Sequence, residues 1–212
     1  MTSTNTIVKR TTLFLILLLI AAPQILKAQD GAFSELKKKF SEGQIFKADF
    51  TYRTIDSYTE DTTSNTGWIW VGDEEYKVRT DRQSVVVNGK TSMVYDNNRN
   101  RVIISKYVPE EDDFAPSRIM NGVDSTFTVD AQEWKEDHYY IKLTSEDPFA
   151  IYQQVELFLS KQKEPLKIRA VDPVDNIIIT EFNEGRFVPA TEEMFHLDYP
   201  DGAEIVDMRK KY

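Results

Sequence analysis

Two hydrophobic periods follow one another along this chain. Between residues 30 and 43, Phe33, Leu36 and Phe40 recur at spacings of three and four, the single apolar stripe of an amphipathic helix. Lys37-Lys38-Lys39 faces water beside the stripe, and Gly43 is placed to end the helix. From Phe46 the period becomes two. Phe46, Ala48, Phe50 and Tyr52 alternate with Lys47, Asp49, Thr51 and Arg53, as in a strand with one apolar and one polar face. A polar turn cluster at 59–66 leads into Gly67-Trp68-Ile69-Trp70-Val71, apolar on both faces. Gly72-Asp73 turns the chain into a strand at 75–79. Residues 84–87 and 92–95 predict a hairpin around Asn88-Gly89, a type I′ dipeptide. The turn at 96–100 then feeds a strand at 101–105.

Residues 109–122 interrupt this pattern with the acidic run Glu110-Glu111-Asp112-Asp113 and a short amphipathic turn carrying Phe114, Ile119 and Met120. Strands resume at 125–129, 138–143, 155–159, 166–171, 177–182 and 194–199, separated by turns such as Asp172-Pro173 and Asn183-Glu184-Gly185. The expectation is an α+β chain, mainly antiparallel β: an incomplete, half-open barrel of about eleven strands, with helices laying their apolar stripes on its concave face.

The first 28 residues read differently. Lys9-Arg10 is a basic n-region, 13–22 an apolar run, Pro23 a break, and Leu26-Lys27-Ala28 offers a small residue for cleavage. This is the pattern of a secretory signal, too short to span a bilayer comfortably. The expected division is a signal peptide at 1–28 and one domain at 29–212, exported to the periplasm. The signal carries three basic residues and no acid, so its removal takes the net charge from -9 to -12. So acidic a surface argues against a nucleic-acid face and against lasting attachment to anionic membranes. The chain has no cysteine. That excludes disulfides, thiol catalysis, thiolate metal sites and acylation at a cysteine behind the signal.

Candidate chemistry is sparse. His138 and His196 each fall within a predicted strand, where a structural histidine is the ordinary reading. No G-x-S-x-G, H-E-x-x-H or phosphate-binding glycine loop occurs. Asp96, Asn98 and Asn100 imitate the start of a calcium loop, but the required glycine is Arg101, so a hairpin turn is expected. The run 110–113 fits a solvated loop better than a cation site. No catalytic residue, metal ligand or cofactor is assigned. An enzyme using dispersed carboxylates on a lipid or glycan is the competing class, and no carboxylate pair is singled out for it.

Several segments are similar to those of the outer-membrane lipoprotein carrier proteins, the LolA family. Phe46-Lys47-Ala48-Asp49-Phe50 behind the helix resembles that family's F-x-A-x-F strand, and Gly67-Trp68-Ile69-Trp70-Val71 its G-x-L-W-V strand. The run from Val87 to Asp96 resembles V-x-D-G-K-x-x-x-x-Y-D, and the run from Phe195 to Asp207 resembles F-x-F-x-x-P-x-G-x-x-V-x-D. The resemblance implies a monomeric, half-open barrel whose cavity shields the acyl chains of lipoproteins crossing the periplasm. It also implies an inner-membrane releasing transporter and an outer-membrane acceptor as partners. A periplasmic lipid-binding sensor of the same fold is the alternative it leaves open.

One feature departs from the family. The arginine that latches the lid in well-known members has no counterpart, since Gly72-Asp73-Glu74 stands in its turn. The lid is then expected to rest mainly on apolar contacts of Ile119 and Met120. The expected acyl-chain residues of cavity and lid are Leu36, Phe40, Phe50, Tyr52, Ile69, Val71, Tyr76, Val78, Met93, Tyr95, Ile104, Ile119, Met120 and Phe158. The 67–71 run is apolar on both faces and its residues alone do not choose between them; the resemblance to the family's G-x-L-W-V strand implies Ile69 and Val71 inward, with Trp68 and Trp70 on the convex side or rim.

The intact mass of exported protein tests the first of these expectations. Cleavage near Ala28 predicts a mature form beginning near Gln29, and a mature form keeping residues 13–20 would contradict it.

Overall fold

The computed structural model describes residues 31–109, 112, 119–120, 127–191 and 193–209. The expected signal at 1–28, with Glu110, Glu111, Asp113 and Phe114, lies outside them. Helix α1 (Ala32–Ser41) is followed by β1 (Gln44–Ile55), β2 (Thr62–Val71), β3 (Glu75–Thr80), β4 (Gln83–Asn88), β5 (Thr91–Asp96) and β6 (Arg101–Lys106). After the interruption come β7 (Phe127–Lys135), β8 (His138–Ser145), β9 (Gln154–Leu159), β10 (Pro165–Val171), β11 (Ile177–Pro189) and β12 (Glu204–Asp207). All belong to one sheet of order β12-β6-β5-β4-β3-β2-β1-β11-β10-β9-β8-β7. The end strands β12 and β7 are not paired to each other, so the sheet is an incomplete barrel with an inner and an outer face.

The sheet's centre is its longest pair. β1 runs against β11 from Gln44↔Pro189 to Ile55↔Ile177. Around it, cross-strand register builds transverse rows of inward side chains. One row is Ala48, Ile69, Val78, Val85, Val94 and Ile103, each directly opposite the next. Such pairs are the unit of sheet stabilisation.

Helix α1 buries Ala32, Phe33, Leu36 and Phe40, the stripe read from the sequence. Glu35 in its first turn and Lys38 and Lys39 in its last complement the helix dipole. Gly43, at φ +77°, sends its N–H to Phe40 O at 2.8 Å and ends the helix there. Ten residues of helix are marginal alone, so packing fixes this one. The Phe33 N–H donates to Gln132 Oε1 on β7 at 3.0 Å, Lys163 pairs with Glu35 at 2.9 Å, and the Phe40 ring meets Phe187 of β11 edge-on.

The structure corrects the sequence reading in several places. Among the described residues twelve strands form, in keeping with the expected number of about eleven, but 194–199 is not one of them. The last strand is β12, and it pairs parallel to β6. Residues 183–185 do not turn the chain. β11 runs through them with a bulge opposite Lys47 and Asp49, absorbed by Glu184 at φ +53°. The hairpin at Asn88-Gly89 has positive φ at Gly89 alone, the II′ rather than the I′ pattern, with Gly89-Lys90 as its central pair. The polar cluster at 59–66 is half strand, because β2 begins at Thr62.

Leu36 is fully buried at the helix–sheet contact. Leu36→Ala should cost about 2–5 kcal/mol of stability, read by denaturant unfolding; an unchanged midpoint would contradict the docking of α1.

Candidate functional site

The inner face divides into two parts. Over β8–β11 and the start of β1 it is filled. Leu36 and Phe40 from α1 and Ile119 and Met120 from the interrupting segment join Phe46, Ile141, Leu157 and Phe182 in one cluster. Over β2–β6 it is left as an open trough of about 650 Å³. Its floor is Phe50, Val78, Val85 and Val94, with Tyr52 at one end and Tyr76, Tyr107 and Val108 at the other. Asn65, Thr80, Gln83, Ser92 and Ser105 supply polar wall, and Arg82, Lys106 and Asp112 supply charge.

The two parts meet at Tyr52. This residue lines the trough and also a narrow apolar slot with Ile119, Tyr152, Ile168, Ile178 and Phe182. Ile119 is nearly buried and Met120 fully so. The two residues expected to form a lid therefore act as a plug in the filled half. An unbranched methionine repacks readily if such a plug moves.

A polar cluster ties Asp112 of the interrupting segment to the trough wall. The Tyr76 phenol donates to Asp112 Oδ2 at 2.7 Å, and the Tyr107 phenol donates to the same oxygen at 2.9 Å. Burial of Tyr76, with the Asp112 charge beside it, pushes its phenol well above the ordinary tyrosine value. Asp112 is thus a wall residue of the trough, whereas the sequence offered only an acidic run. Its signal was weak: one carboxylate of four, at no helical or strand spacing.

Of the expected site residues, Phe50, Tyr52, Tyr76 and Val78 line the trough. Ile69 and Val71 point inward as expected but lie fully buried beneath its surface, as do Leu36 and Phe40 in the filled half. Trp68 is 45% exposed on the other side, under the Arg79 guanidinium.

Four expected residues belong to the outer face. Met93, Tyr95 and Ile104 pack there with Val86, Val102, Phe195 and Leu197. Phe158 lies between His138 and Tyr140, beneath Lys167 Nζ at 4.3 Å. The reason is parity. Ser92, Val94 and Ser105 take the inward positions of β5 and β6, and Leu157 and Leu159 those of β9. Size and hydrophobicity favoured Met93, Tyr95, Ile104 and Phe158 in the sequence because the outer face has an apolar patch of its own. The inward parity of Val85 and Val94 follows from their register with Val78, which no local pattern of the sequence supplies.

The turn at 96–100 is a hairpin turn. Asp96 Oδ1 accepts from the N–H groups of Asn98 and Arg99 at 2.9 and 3.1 Å, with Asn100 at φ +45°. Among the described residues no three His, Asp or Glu side chains are gathered to hold a metal ion.

The molecule is of the class of open antiparallel half-barrels with a helix packed on the inner face. No family model and no curated protein matches the chain. Among solved structures it is similar to an uncharacterized conserved protein from Thermus thermophilus. There the identity is 14%, the match covers 82% of this chain and 97% of that one, and the TM-score is 0.53. It is also similar to a LolA superfamily protein from Nitrosomonas europaea (12% identity, 78% and 96% covered, TM-score 0.43). A third similar structure is a putative outer membrane lipoprotein-sorting protein domain from Vibrio parahaemolyticus (13% identity, 77% and 94% covered, TM-score 0.42). These are likenesses of fold.

The raised Tyr76 phenol gives a signed prediction. The native state holds that proton more tightly than the unfolded chain, so its contribution is complete below about pH 10, the unfolded tyrosine value. It is lost as pH rises further, at up to about 1.4 kcal/mol per pH unit. Tyr76→Phe should therefore be less stable than wild type at neutral pH by about 1–3 kcal/mol, because Asp112 loses a donor. The gap should narrow in urea unfolding above pH 10; a constant gap would refute the assignment.

Proposed function

We propose that this protein is an exported carrier that works in the periplasm, shields the acyl chains of lipoproteins on its inner face and moves them from the inner to the outer membrane. The observation that carries this reading is the division of the inner face. Half is plugged by the chain's own apolar residues, and the adjoining half is an open trough with an apolar floor. Three of the segments that resemble the lipoprotein carriers in sequence lie in β1, β2 and β4–β5 and contribute to this face, whereas the fourth, 195–207, packs on the outer one.

The energetics suit transient holding. Each buried methylene contributes about 0.8 kcal/mol, so full burial of several chains would reach tens of kcal/mol and forbid release. The trough has the size of a small-ligand site, a class that spans about 300–1,000 Å³. Additional chains would have to displace Ile119 and Met120, and re-exposing or repacking that plug offsets part of the gain. Contact with such a floor is apolar, so the carrier should be indifferent to the amino-acid sequence of its cargo.

Handover would fall to the rim. At the end where the β1–β2, β8–β9 and β10–β11 turns meet, Tyr58, Phe149 and Val174 are 93%, 91% and 66% exposed. Ser57 ties the first turn to the last through Asn176 Oδ1 and Val174 O. Asp56, Glu60, Asp61, Glu146, Asp147, Asp172 and Asp175 surround these tips. An inner-membrane releasing transporter and an outer-membrane acceptor would meet this end with basic mouths. The reading needs no catalytic group and no cofactor.

A purified triacylated lipoprotein, presented in detergent-free buffer, tests the reading by co-elution with the carrier. Wild type should keep it soluble. Val94→Asp, a charge on the half-buried trough floor, should abolish co-elution while the sheet stays folded. If wild type never holds the cargo and no lipid co-purifies, the carrier reading fails and a sensor of the same fold replaces it.

A further inference from the structure

The trough is not uniformly apolar, and its polarity is arranged along its length. Val78, Val85 and Val94 face one another across β3, β4 and β5 at its middle. Arg82 and Gln83 stand where β3 turns into β4, with Asn65 near the start of β2 at the same end. Lys106 stands at the end of β6, paired with Thr91. The six residues of β4 separate these two ends, roughly 20 Å at the ordinary strand rise.

The charges at the two ends differ in company. The Lys106 end holds the Asp112 carboxylate, itself engaged by two phenols. The Arg82 end holds no carboxylate among the lining residues. The Arg82 guanidinium and the side-chain amides of Asn65 and Gln83 make no hydrogen bond or ion pair with any described residue, although Arg82 and Gln83 donate their backbone N–H groups to Thr80 Oγ1. In a chain of net charge -9, the lining thus carries two cations against one anion, and the cation at the Arg82 end shares the lining there with two amide side chains at one end of an apolar floor.

We infer that the trough takes a single-chain amphiphile with an anionic head group, carboxylate or phosphate, seated at Arg82, Asn65 and Gln83, with the chain lying along Val78, Val85 and Val94. A guanidinium presents its donors in a planar fork that fits either oxyanion. A cleft with low-dielectric walls focuses such a charge on an incoming anion even when the protein's overall charge is negative. The inference rests on the acyl-holding reading of this trough and adds the head-group chemistry to it.

The test uses the full mature protein and three single-chain probes of equal length at neutral pH: a fatty acid, its methyl ester and an alkyl phosphate. Binding is followed by displacement of a fluorescent fatty acid. The acid and the phosphate should bind roughly two- to fivefold more tightly than the ester, the range expected of one exposed charge pair. The stronger of the two names the head group. Arg82→Gln should close that gap, and high salt should close it in wild type. Arg99→Gln, an exposed cation in the neighbouring β5–β6 turn, should leave the gap open. Equal binding of acid and ester by wild type, or a gap that survives Arg82→Gln, overturns the head-group assignment and leaves the acyl trough standing. If none of the three probes binds wild type, the acyl-holding reading falls, and this inference with it.

Discussion

A sheet of twelve strands that does not close has an inner face too wide to be covered by its own side chains, and everything else here follows from how that face is covered. The contact that decides it is the seating of Leu36 and Phe40 of α1 against β1 and β11, where both are fully buried. Among the described residues the ten of α1 cannot cover twelve strands, and the inner surface over β2–β6 lies open. The trough reflects the mismatch between this short helix and a wide curved sheet.

The outer face solves the opposite problem. An exposed apolar patch on β4–β6 would invite association, and the chain's own C-terminal segment covers it. Phe195 and Leu197 pack onto Val86, Met93 and Ile104, and Lys77 Nζ holds the segment through His196 O at 2.7 Å and Asp198 at 3.1 Å. β12 then pairs parallel to β6, so the cover also shields that sheet edge. The parallel pair breaks an otherwise antiparallel topology because the segment arrives from across the outer face, not through a hairpin.

The strands and the helix are legible in the sequence because each has a clean period. Phe33, Leu36 and Phe40 predict the helix and its buried face; at 67–71, apolar on both faces, the inward placement of Ile69 and Val71 comes only with the family resemblance, and both are fully buried. Legibility fails where both faces of a strand are apolar. In β5 and β6, residue size points to Met93, Tyr95 and Ile104, but the inner positions are the smaller Ser92, Val94 and Ser105. Only cross-strand register, a non-local property, separates the two faces there. Asp112 is hidden for a related reason: its partners Tyr76 and Tyr107 reach it by tertiary folding, and nothing in the local run of four acids distinguishes it. The sequence thus predicts a mainly apolar lid fastening, and the structure adds two phenol–carboxylate bonds to the burial of Ile119 and Met120.

The central claim is that the inner face over β2–β6, and not the outer apolar patch, receives an acyl chain. Methyl-resolved NMR of the mature protein titrated with a fatty acid tests it most directly. The account predicts shifts of the Val78, Val85 and Val94 methyls, with the Ile104 and Met93 methyls unmoved. Shifts centred on Ile104, Met93 and Leu197, or none in either set, would contradict it.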